Sequence, residues 1–408
     1  MSTSRAARIR RLAGAALACA LASRVEAQKP PTRTIVPIAG YTSTPERVPF
    51  DTAEMPVLRV PAGFQVTVFA QGLGAPRMMA VGTDGTVYVT RRDSNDVIAL
   101  RDDGSGKAGE PRKVVSNLRR VHGIAVEGRT MFLATVKEVY VADMREDGSV
   151  GEPRAIITDL PDGGQHPNRT IAMGPDGMLY ISIGSTCNVC DEPNAEHATI
   201  LRAKPDGSER GVHARGLRNT IGFGWHPTTG EMWGMDHGSD WMGNDAPPEE
   251  LNRIQNAGHY GWPFCHGARE VSRYFTGEPA GSRKEELCPR TVAPVLTYQA
   301  HSAPLQMAFY TGAQFPEAYR GDAFVAMRGS WNRQPPTGYK VVRIRFENGE
   351  PRRVEDFLTG FLSRDATKYY ARVAGVVVAS DGSLLVADDT NGVIYRVSYA
   401  SETNSGER

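Results

Sequence analysis

The sequence predicts an all-β fold, a six-bladed β-propeller made of four-stranded antiparallel blades. Three observations favour it: a strand–turn–strand unit recurs six times, the units are roughly 40–60 residues apart, and a spare strand precedes the first unit. The 408 residues include 43 Gly and 27 Pro, a composition that suits short strands and turns better than long helices. The prediction is one large repeat domain over residues 55–400.

The clearest copy of the unit lies at residues 171–183. Ile171–Met173 is apolar, Pro175–Gly177 is a turn signal, and the run from Met178 to Ile183 is apolar again. Comparable units begin at Met78, Gly123, Ile171, Gly222, Leu305 and Gly375. The gap after the fourth unit, about residues 255–300, is interpreted as an insertion between units four and five.

The two ends of the repeat region predict how the ring closes. The sixth unit runs out before a fourth strand, whereas Phe64–Ala70 alternates in polarity and precedes unit one. Because an unpaired strand edge is a site of aggregation, we expect this N-terminal strand to complete the last blade. A β-sandwich, the alternative, would not need six similar units.

The first residues of the chain predict export. Residues 1–27 combine a basic start, a short apolar run from Leu12 to Ala22, and small residues near Ala27, as in a signal peptide. The apolar run is too short to span a bilayer, and a lipid anchor at Cys19 is the alternative. Residues 28–54 predict an extended leader and residues 401–408 a short tail. The expected location is the periplasm or the exterior.

Four cysteines follow Cys19. An even number in an oxidising compartment predicts two disulfides, and we favour Cys187–Cys190 and Cys265–Cys288 because each pair is close in sequence. The rival interpretation of the Cys-x-x-Cys pair is a metal or redox site, although a single such pair is weak evidence for zinc.

One face of the predicted propeller gathers cations and histidines. In each blade, the loop before the innermost strand and the loop between the second and third strands lie on the same face. These loops carry Arg77, His122, His166, Arg169, Arg218, Asn219, His301, Arg372, Arg91, Arg92, Lys137, Cys187–Cys190, His237–Ser239, Arg328, Trp331, Asp388 and Asp389. With a net charge of only +1, this local concentration indicates an anionic ligand with several carboxylates or phosphates, and gives no reason to expect nucleic acid. The simpler alternative is that strand ends are polar.

His166 is the candidate base on this face. A neutral imidazole removes a hydroxyl proton near pH 7, and partial burial beside cations would keep it neutral. The alternative is a packing histidine that caps the following strand.

An acidic segment on the same face is a candidate cation site. Asp236–Asp240, Asn244-Asp245 and Glu249-Glu250 offer carboxylates and backbone carbonyls beside Gly, the oxygen ligands that calcium prefers. The segment lacks EF-hand spacing, so a solvated acidic turn is the alternative.

Several segments together point to a known family. They are Gln165–Arg169, Gly216–Asn219, Pro248–Asn252, Gly258–Pro263, Gly329–Arg333, Gly338–Lys340 and Ser380–Ser383. Through them the chain, over about residues 60–400, resembles the soluble sugar dehydrogenases that depend on pyrroloquinoline quinone (PQQ), the glucose, aldose and sorbosone dehydrogenase group. The resemblance implies a propeller that binds the quinone and calcium in its central mouth.

The resemblance also implies residue roles. His166 would take the proton from the sugar hydroxyl, and Gly238 and Ser239 would offer backbone carbonyls to calcium. Cofactor binding would fall to Arg218, Asn219, His237, Arg328 and Arg372. These roles agree with the cationic face, because a tricarboxylate needs cations and a quinone accepting hydride needs a Lewis acid.

The chain departs from the glucose-specific members at several positions. Gln165 replaces an acidic residue beside the base, which would leave the imidazole less firmly oriented. Ala374 replaces a second arginine, Arg328 stands where some members have Lys, and the aromatic residues of their sugar pocket are unmatched near Gln299–His301. The sorbosone-like subgroup, with its Cys-x-x-Cys pair, is the closer match, and the substrate stays open.

The expected function is therefore an exported quinoprotein dehydrogenase that oxidises a sugar or a related alcohol or aldehyde. Hydride would pass to PQQ, and electrons would leave to a separate acceptor, a cytochrome or a quinone. Two alternatives share the fold: a calcium-dependent lactonase or esterase, and a non-enzymatic propeller that binds a partner or glycan.

Overall fold

The computed structural model describes residues 40–49, 51 and 58–400. The predicted signal peptide, the first part of the leader and the tail lie outside these residues. Among the described residues, helix is limited to one short segment, α1 (Lys284–Leu287), and two 3-10 turns at Cys288–Arg290 and Glu317–Tyr319. The predicted all-β class is confirmed.

The strands in chain order are β1 Glu46–Arg47, β2 Phe64–Ala70, β3 Met79–Val81, β4 Val87–Arg91, β5 Asp96–Leu100, β6 Arg112–Val115, β7 Gly123–Glu127, β8 Thr130–Ala134, β9 Val139–Asp143, β10 Arg154–Ile157, β11 Ile171–Met173, β12 Leu179–Ile183, β13 Thr199–Ala203, β14 Gly211–Arg215, β15 Thr220–Trp225, β16 Met232–Asp236, β17 Glu249–Ile254, β18 Gly258–His259, β19 Cys265–His266, β20 Glu270–Val271, β21 Leu296–Tyr298, β22 Pro304–Phe309, β23 Ala323–Met327, β24 Lys340–Glu347, β25 Glu350–Leu358, β26 Lys368–Tyr369, β27 Val373–Val378, β28 Leu384–Asp388 and β29 Val393–Tyr399.

The strands form six blades. Blades 1 to 6 are β3–β6, β7–β10, β11–β14, β15–β17 with β21, β22–β25, and β27–β29 with β2. Strand β18 adds in parallel to the edge of blade 3. Phe64 of β2 pairs antiparallel with Tyr399 of β29, so the N-terminal strand completes the last blade as predicted.

Apolar side chains between neighbouring blades hold the ring together. The described residues contain six buried clusters, and each one lies at a different junction between two consecutive blades. The junction between the last and first blades, blades 6 and 1, buries Val89 and Leu385 like any other. Because burial of apolar surface is the main favourable contribution to folding, six filled junctions make a closed ring without a free blade.

The repeated Asp-Gly turns follow one geometry. Gly85, Gly177 and Gly382 adopt φ values of +79°, +71° and +85°, which a residue with a side chain rarely adopts. In each turn the preceding aspartate accepts the backbone N–H two residues later. The Asp-Gly pairs in the sequence therefore reflect a turn that needs a residue with positive φ, and this turn is present in blades 1, 3 and 6.

The insertion lies inside blade 4 and not, as expected, between units four and five. The fourth strand of blade 4 is β21, so the chain leaves the blade after Ile254 and returns to it at Leu296. The strand was missed because more than 40 residues separate it from β17 and it is only three residues long. The excursion contains α1 and the Cys265–Cys288 disulfide.

Both predicted disulfides are present, Cys187–Cys190 and Cys265–Cys288. A metal site at Cys187 and Cys190 would need free thiolates as ligands. Because the two sulfur atoms are bonded to each other, they do not supply such ligands. Glu192 lies near the same sulfur atoms, but its carboxylate accepts hydrogen bonds from Thr186.

The described part of the leader runs across loops of blades 5 and 6. The Ser43 N–H donates to the Trp331 carbonyl at 2.8 Å, and β1 pairs in parallel with β26. The Arg47 guanidinium then donates to the Thr390 carbonyl at 2.8 Å. This extended segment fixes the loops beside the cavity described below.

In the described part of the chain, no helix combines the length and the apolarity needed to cross a membrane.

Candidate active site

A cavity of about 320 Å³ lies where the loops of blades 1, 3, 4, 5 and 6 meet. Seven of the eight site residues predicted from the sequence line it, namely His166, Arg218, Asn219, His237, Gly238, Arg328 and Arg372. The eighth, Ser239, is buried next to Gly238 and is not part of the lining. Positions more than 200 residues apart in sequence thus share one site of the size that small ligands occupy.

Four arginines line the cavity, at Arg77, Arg218, Arg328 and Arg372, against two acids, Asp240 and Glu249. Arg91, Arg92 and Lys137, predicted for the same face, do not line it; they pair with Asp96, Asp93 and Asp162. We call the side formed by His166, Arg218 and Asn219 the base wall. The side formed by Arg77, Arg328 and Arg372 is the arginine wall.

His166 is oriented by Ser185. Its Nδ1 lies 2.9 Å from both the carbonyl and the hydroxyl oxygen of Ser185, and that hydroxyl donates in turn to the Cys187 carbonyl at 2.7 Å. Because a carbonyl only accepts, Nδ1 carries the proton and Nε2 keeps a lone pair. Burial, with Arg218 and His237 nearby, lowers the pKa of His166 to about 2, so the ring is neutral. Ser185 thus does what the carboxylate absent at Gln165 was expected to do.

Gly184 makes the base wall compact. A Cβ atom at Gly184 would lie 2.6 Å from the Cβ of His166 and 2.7 Å from Oδ1 of Asn219. Real Cβ atoms do not approach that closely, so only glycine at the end of β12 lets these two side chains pack side by side.

Asp236 positions the backbone of the base wall. Its carboxylate accepts the N–H groups of Arg218 and Asn219, both at 2.8 Å, and the Thr220 hydroxyl at 2.8 Å. Burial raises the pKa of Asp236 to about 6 despite these bonds. This aspartate, which lies in the segment predicted as a cation site, fixes the positions of Arg218 and Asn219.

Asn188, between the cysteines of the Cys187–Cys190 disulfide, holds the Arg218 guanidinium. Nε of Arg218 donates to the Asn188 carbonyl at 3.1 Å, and Nη2 donates to Asn188 Oδ1 at 2.9 Å. The Asp240 carboxylate accepts from Nη2 as well, at 3.1 Å, and the Asp240 N–H donates to Asn188 Oδ1 at 2.7 Å. The disulfide loop therefore places Asn188 where it can hydrogen-bond to both Arg218 and Asp240 at the edge of the cavity.

Asp389 organises the arginine wall. Its carboxylate pairs with Nη1 of Arg77 and with Nη1 of Arg328, and its side chain is only 9% exposed. Arg372 donates from Nε to the Arg328 carbonyl at 3.4 Å and lies over the Tyr339 ring. Three guanidinium groups are therefore held together around one carboxylate.

His237 also lines the cavity, and its ring N–H is used in a hydrogen bond to the backbone. Nε2 donates to the Pro304 carbonyl, which leaves Nδ1 as the acceptor of a neutral ring. Burial lowers the pKa of His237 to about 4.

The acidic segment predicted as one calcium loop is divided by the structure. Asp245 is exposed and pairs with Arg333, and Glu250 accepts the Gly267 N–H without lining the cavity. Glu249 and Asp240 are the acids of this segment that line the cavity, and the choice of calcium ligands among the segment's oxygen atoms stays a prediction.

Gly238 is tightly constrained beside Glu249. Its N–H donates to Oε2 of Glu249 at 2.8 Å, and a Cβ atom there would lie 2.7 Å from the Pro247 carbonyl oxygen. Within the described residues, no hydrogen bond ends on the carbonyl oxygens of Gly238 or Ser239. Two unsatisfied carbonyls near a buried carboxylate are a donor set of the kind that hard cations prefer.

Comparison with known proteins agrees with this geometry. Residues 58–400 match the family described as TrAA12-like. The chain belongs to this family. A PQQ-dependent sugar dehydrogenase of Hypocrea jecorina (strain QM6a) is 24% identical to it over 414 residues, covering 85% of the chain and 90% of the relative. The resemblance drawn from the sequence is thereby confirmed.

Solved structures of similar proteins share the fold. The holo PQQ domain of pyranose dehydrogenase from Coprinopsis cinerea has a TM-score of 0.72 at 23% identity, covering 88% of this chain and 100% of that one. The calcium structure of the Trichoderma reesei AA12 protein has a TM-score of 0.73 at 23% identity, covering 85% and 98%. At these identities the likeness establishes the six-bladed propeller.

Proposed function

We propose that this TrAA12-like protein is an exported PQQ-dependent sugar dehydrogenase in which His166 acts as general base with calcium bound nearby. The observation that carries the proposal is the cavity itself: a neutral, oriented imidazole and four arginines share it. The relatives named as PQQ-dependent sugar dehydrogenases support the same reaction class. A lactonase would need the acidic loop and a histidine but not the arginines.

The arginine wall suits the carboxylates of the cofactor. Arg328 and Arg372 would bind them, and Arg218 with Asn219 would hold the opposite, dione edge from the base wall. Forked guanidinium donors match carboxylate geometry, and a fixed position avoids reorganisation when charge develops. When bound, the quinone supplies a hydride acceptor and the calcium ion a Lewis acid.

The carbonyls of Gly238 and Ser239 would hold the calcium ion. Their oxygen atoms accept no hydrogen bond from the described residues, and the Gly238 N–H is fixed by Glu249. Burial raises the pKa of Glu249 to about 8, and a nearby cation would favour its ionised form.

His166 would take the hydroxyl proton of the substrate at Nε2. In the described structure its pKa is held near 2 by burial and by the charge of Arg218. The ring is therefore neutral and its Nε2 lone pair is available, while the Ser185 carbonyl keeps Nδ1 protonated.

The substrate class is a sugar or a related alcohol or aldehyde, and the sorbosone-like subgroup is the first to test. The sequence has no Cys-x-x-Cys-His haem motif, so electrons would pass to a separate cytochrome or quinone. Two disulfides indicate an oxidising compartment, the periplasm or the exterior.

The test combines binding and turnover. Purified protein is titrated with PQQ in calcium or in chelator, and dye reduction is measured with aldoses, sorbosone and polyols. The expected result is calcium-dependent PQQ binding and reduction of dye with at least one sugar. Absence of PQQ binding would overturn the proposal, and lactone hydrolysis with calcium alone would replace it by the lactonase alternative.

A further inference from the structure

We propose that Arg77 is an additional ligand-binding residue that contacts a carboxylate of the bound cofactor. The inference rests on the proposed function, because it assigns part of the same anionic ligand. The resemblance to the sugar dehydrogenases gives Arg77 no role; the geometry of the cavity does. Arg77 reaches the arginine wall from blade 1, whereas Arg328 and Arg372 come from blades 5 and 6.

Two described residues that do not line the cavity, His122 and Asp389, hold the Arg77 guanidinium. Nε lies 3.4 Å from Nε2 of His122, and Nη1 pairs with the Asp389 carboxylate. No hydrogen bond within the described residues uses Nη2. The side chain is 14% exposed and lines the cavity, so Nη2 is the donor left for a ligand.

His122 is built to accept from Arg77. Its Nδ1 lies 2.9 Å from the Arg169 carbonyl, which only accepts, so Nδ1 carries the proton and Nε2 the lone pair. The ring is 1% exposed, and a neutral imidazole avoids a second buried positive charge beside Arg77. Arg169 in turn donates to the His166 carbonyl at 3.0 Å, so the arrangement continues to the base wall.

Three guanidinium groups outnumber the carboxylates of the arginine wall. Asp389 pairs with Arg77 and Arg328, and Asp388 beside it accepts the backbone N–H of Arg372, so three arginines stand beside two described carboxylates. Burying an unpaired positive charge is costly, and a carboxylate of the ligand would neutralise it.

Two small residues of blade 6, Ala374 and Gly375, leave room for the Arg77 loop of blade 1. Ala374, two residues after Arg372, is fully buried and contributes no charge. At the next residue, Gly375, a Cβ atom would lie 2.5 Å from the Arg77 carbonyl oxygen. The missing side chain lets the blade 1 loop approach β27, so Arg77 brings a cation to the part of the wall where Ala374 offers none.

The competing explanation is that Arg77 only neutralises Asp389. The two explanations separate in a double-mutant comparison. If Arg77 acts through Asp389 alone, Arg77→Ala changes nothing once Asp389 is Asn. If Nη2 binds the ligand, the loss persists in the Asp389→Asn background.

The experiment measures PQQ affinity by fluorescence titration in calcium for wild type, Arg77→Ala, Asp389→Asn and the double variant. Arg119→Ala is the matched control, since Arg119 is exposed on the same face and does not line the cavity. We expect Arg77→Ala to weaken binding at least about tenfold in both backgrounds, the loss of one charge-assisted contact. The control should stay within about twofold of wild type, since surface charge is screened.

The outcomes divide cleanly. Unchanged affinity of Arg77→Ala, or full rescue in the Asp389→Asn background, would overturn the role of Arg77 and leave the proposed function standing. Failure of the wild type to bind PQQ would overturn both. If Arg77→Ala does not fold, Arg77→Lys decides: it keeps the charge but not the fork, so wild-type affinity of the Lys variant would contradict a contact made by Nη2.

Discussion

The two walls of the cavity each depend on one buried aspartate, and the two aspartates act differently. On the base wall, Asp236 accepts backbone N–H groups of Arg218 and Asn219. On the arginine wall, Asp389 pairs with the side chains of Arg77 and Arg328. Burial raises the pKa of Asp236 to about 6, whereas at Asp389 burial is outweighed by the two arginines, which hold the pKa below its ordinary value.

Asp236 therefore fixes the position of the base wall, whereas Asp389 balances the charge of the arginine wall. A carboxylate bound to backbone fixes atoms, which a proton transfer needs, since a small displacement of a reacting group costs much of the rate. A carboxylate bound to side chains holds cations close together until a stronger anionic partner arrives. Damage to the base wall should therefore lower turnover, and damage to the arginine wall should lower affinity for the anion.

The strongest test of this division is His166→Ala. We expect kcat to fall by about a thousandfold, within the range for loss of a general base, because Nε2 is the proton acceptor. PQQ affinity should stay within about threefold, since the imidazole gives the anion no charge. Steady-state kinetics and PQQ titration measure the two. Equal loss of both would mean that His166 only supports the structure.

The counterpart on the arginine wall is Arg372→Ala. Its guanidinium lines the cavity and is fixed by the carbonyls of Arg328 and Gly329. We expect PQQ affinity to drop by about tenfold to a hundredfold, the cost of a charge-assisted bond, with kcat at saturating PQQ within a few-fold. A variant that binds normally but turns over slowly would reverse the assignment of the two walls.

Gly184→Ala tests position without removing any functional group. The added methyl group would collide with His166 and Asn219, so we expect kcat to fall by about tenfold to a hundredfold with little change in PQQ affinity. Gly211→Ala, in the same blade, is the control, because a Cβ atom there meets nothing within 4 Å. Equal kinetics for the two variants would show that the close packing at Gly184 does not align the base.

The sequence was informative where chemistry is carried by side chains and repeats. Alternating apolar runs and Asp-Gly turns located the blades, because strand period and positive φ leave residue-level patterns. β21 escaped since a three-residue strand after a long excursion has no period to detect. The site residues on loops before innermost strands were found because the propeller places those loops together.

The supporting interactions of the site were not predictable in the same way. Ser185 orients His166 through its backbone carbonyl, which any residue has, and through a hydroxyl group that no local sequence motif marks. Asn188 contacts Arg218 from the disulfide loop and Asp236 contacts it from the end of β16, and no local sequence motif predicts either contact. Arg77 was visible as a cation on the right face, but its contact with Asp389 joins residues 312 positions apart. Only the folded ring supplies these pairings.

The smallest expected effect concerns the neutral His122 behind the arginine wall. Burial and the nearby Arg77 lower its pKa to about 3, against about 6.5 in an unfolded chain. The unfolded state therefore binds the proton first on acidification, so the stability due to this group is present above pH 6.5 and is lost as pH falls from 6.5 toward 3. His122→Asn keeps a donor and an acceptor but does not titrate in this range.

We expect wild type to be more stable than His122→Asn at pH 8, and the difference in unfolding free energy to shrink by about 1.4 kcal/mol by about pH 5.5. Other titrating groups occur in both proteins and cancel in the difference, which chemical denaturation at several pH values measures. A difference that stays constant with pH would mean that His122 is not held neutral, and the hydrogen bond from Arg77 to its Nε2 would lose its basis. The arginine wall would then lack the fixed geometry that distinguishes it from a loose cluster of cations.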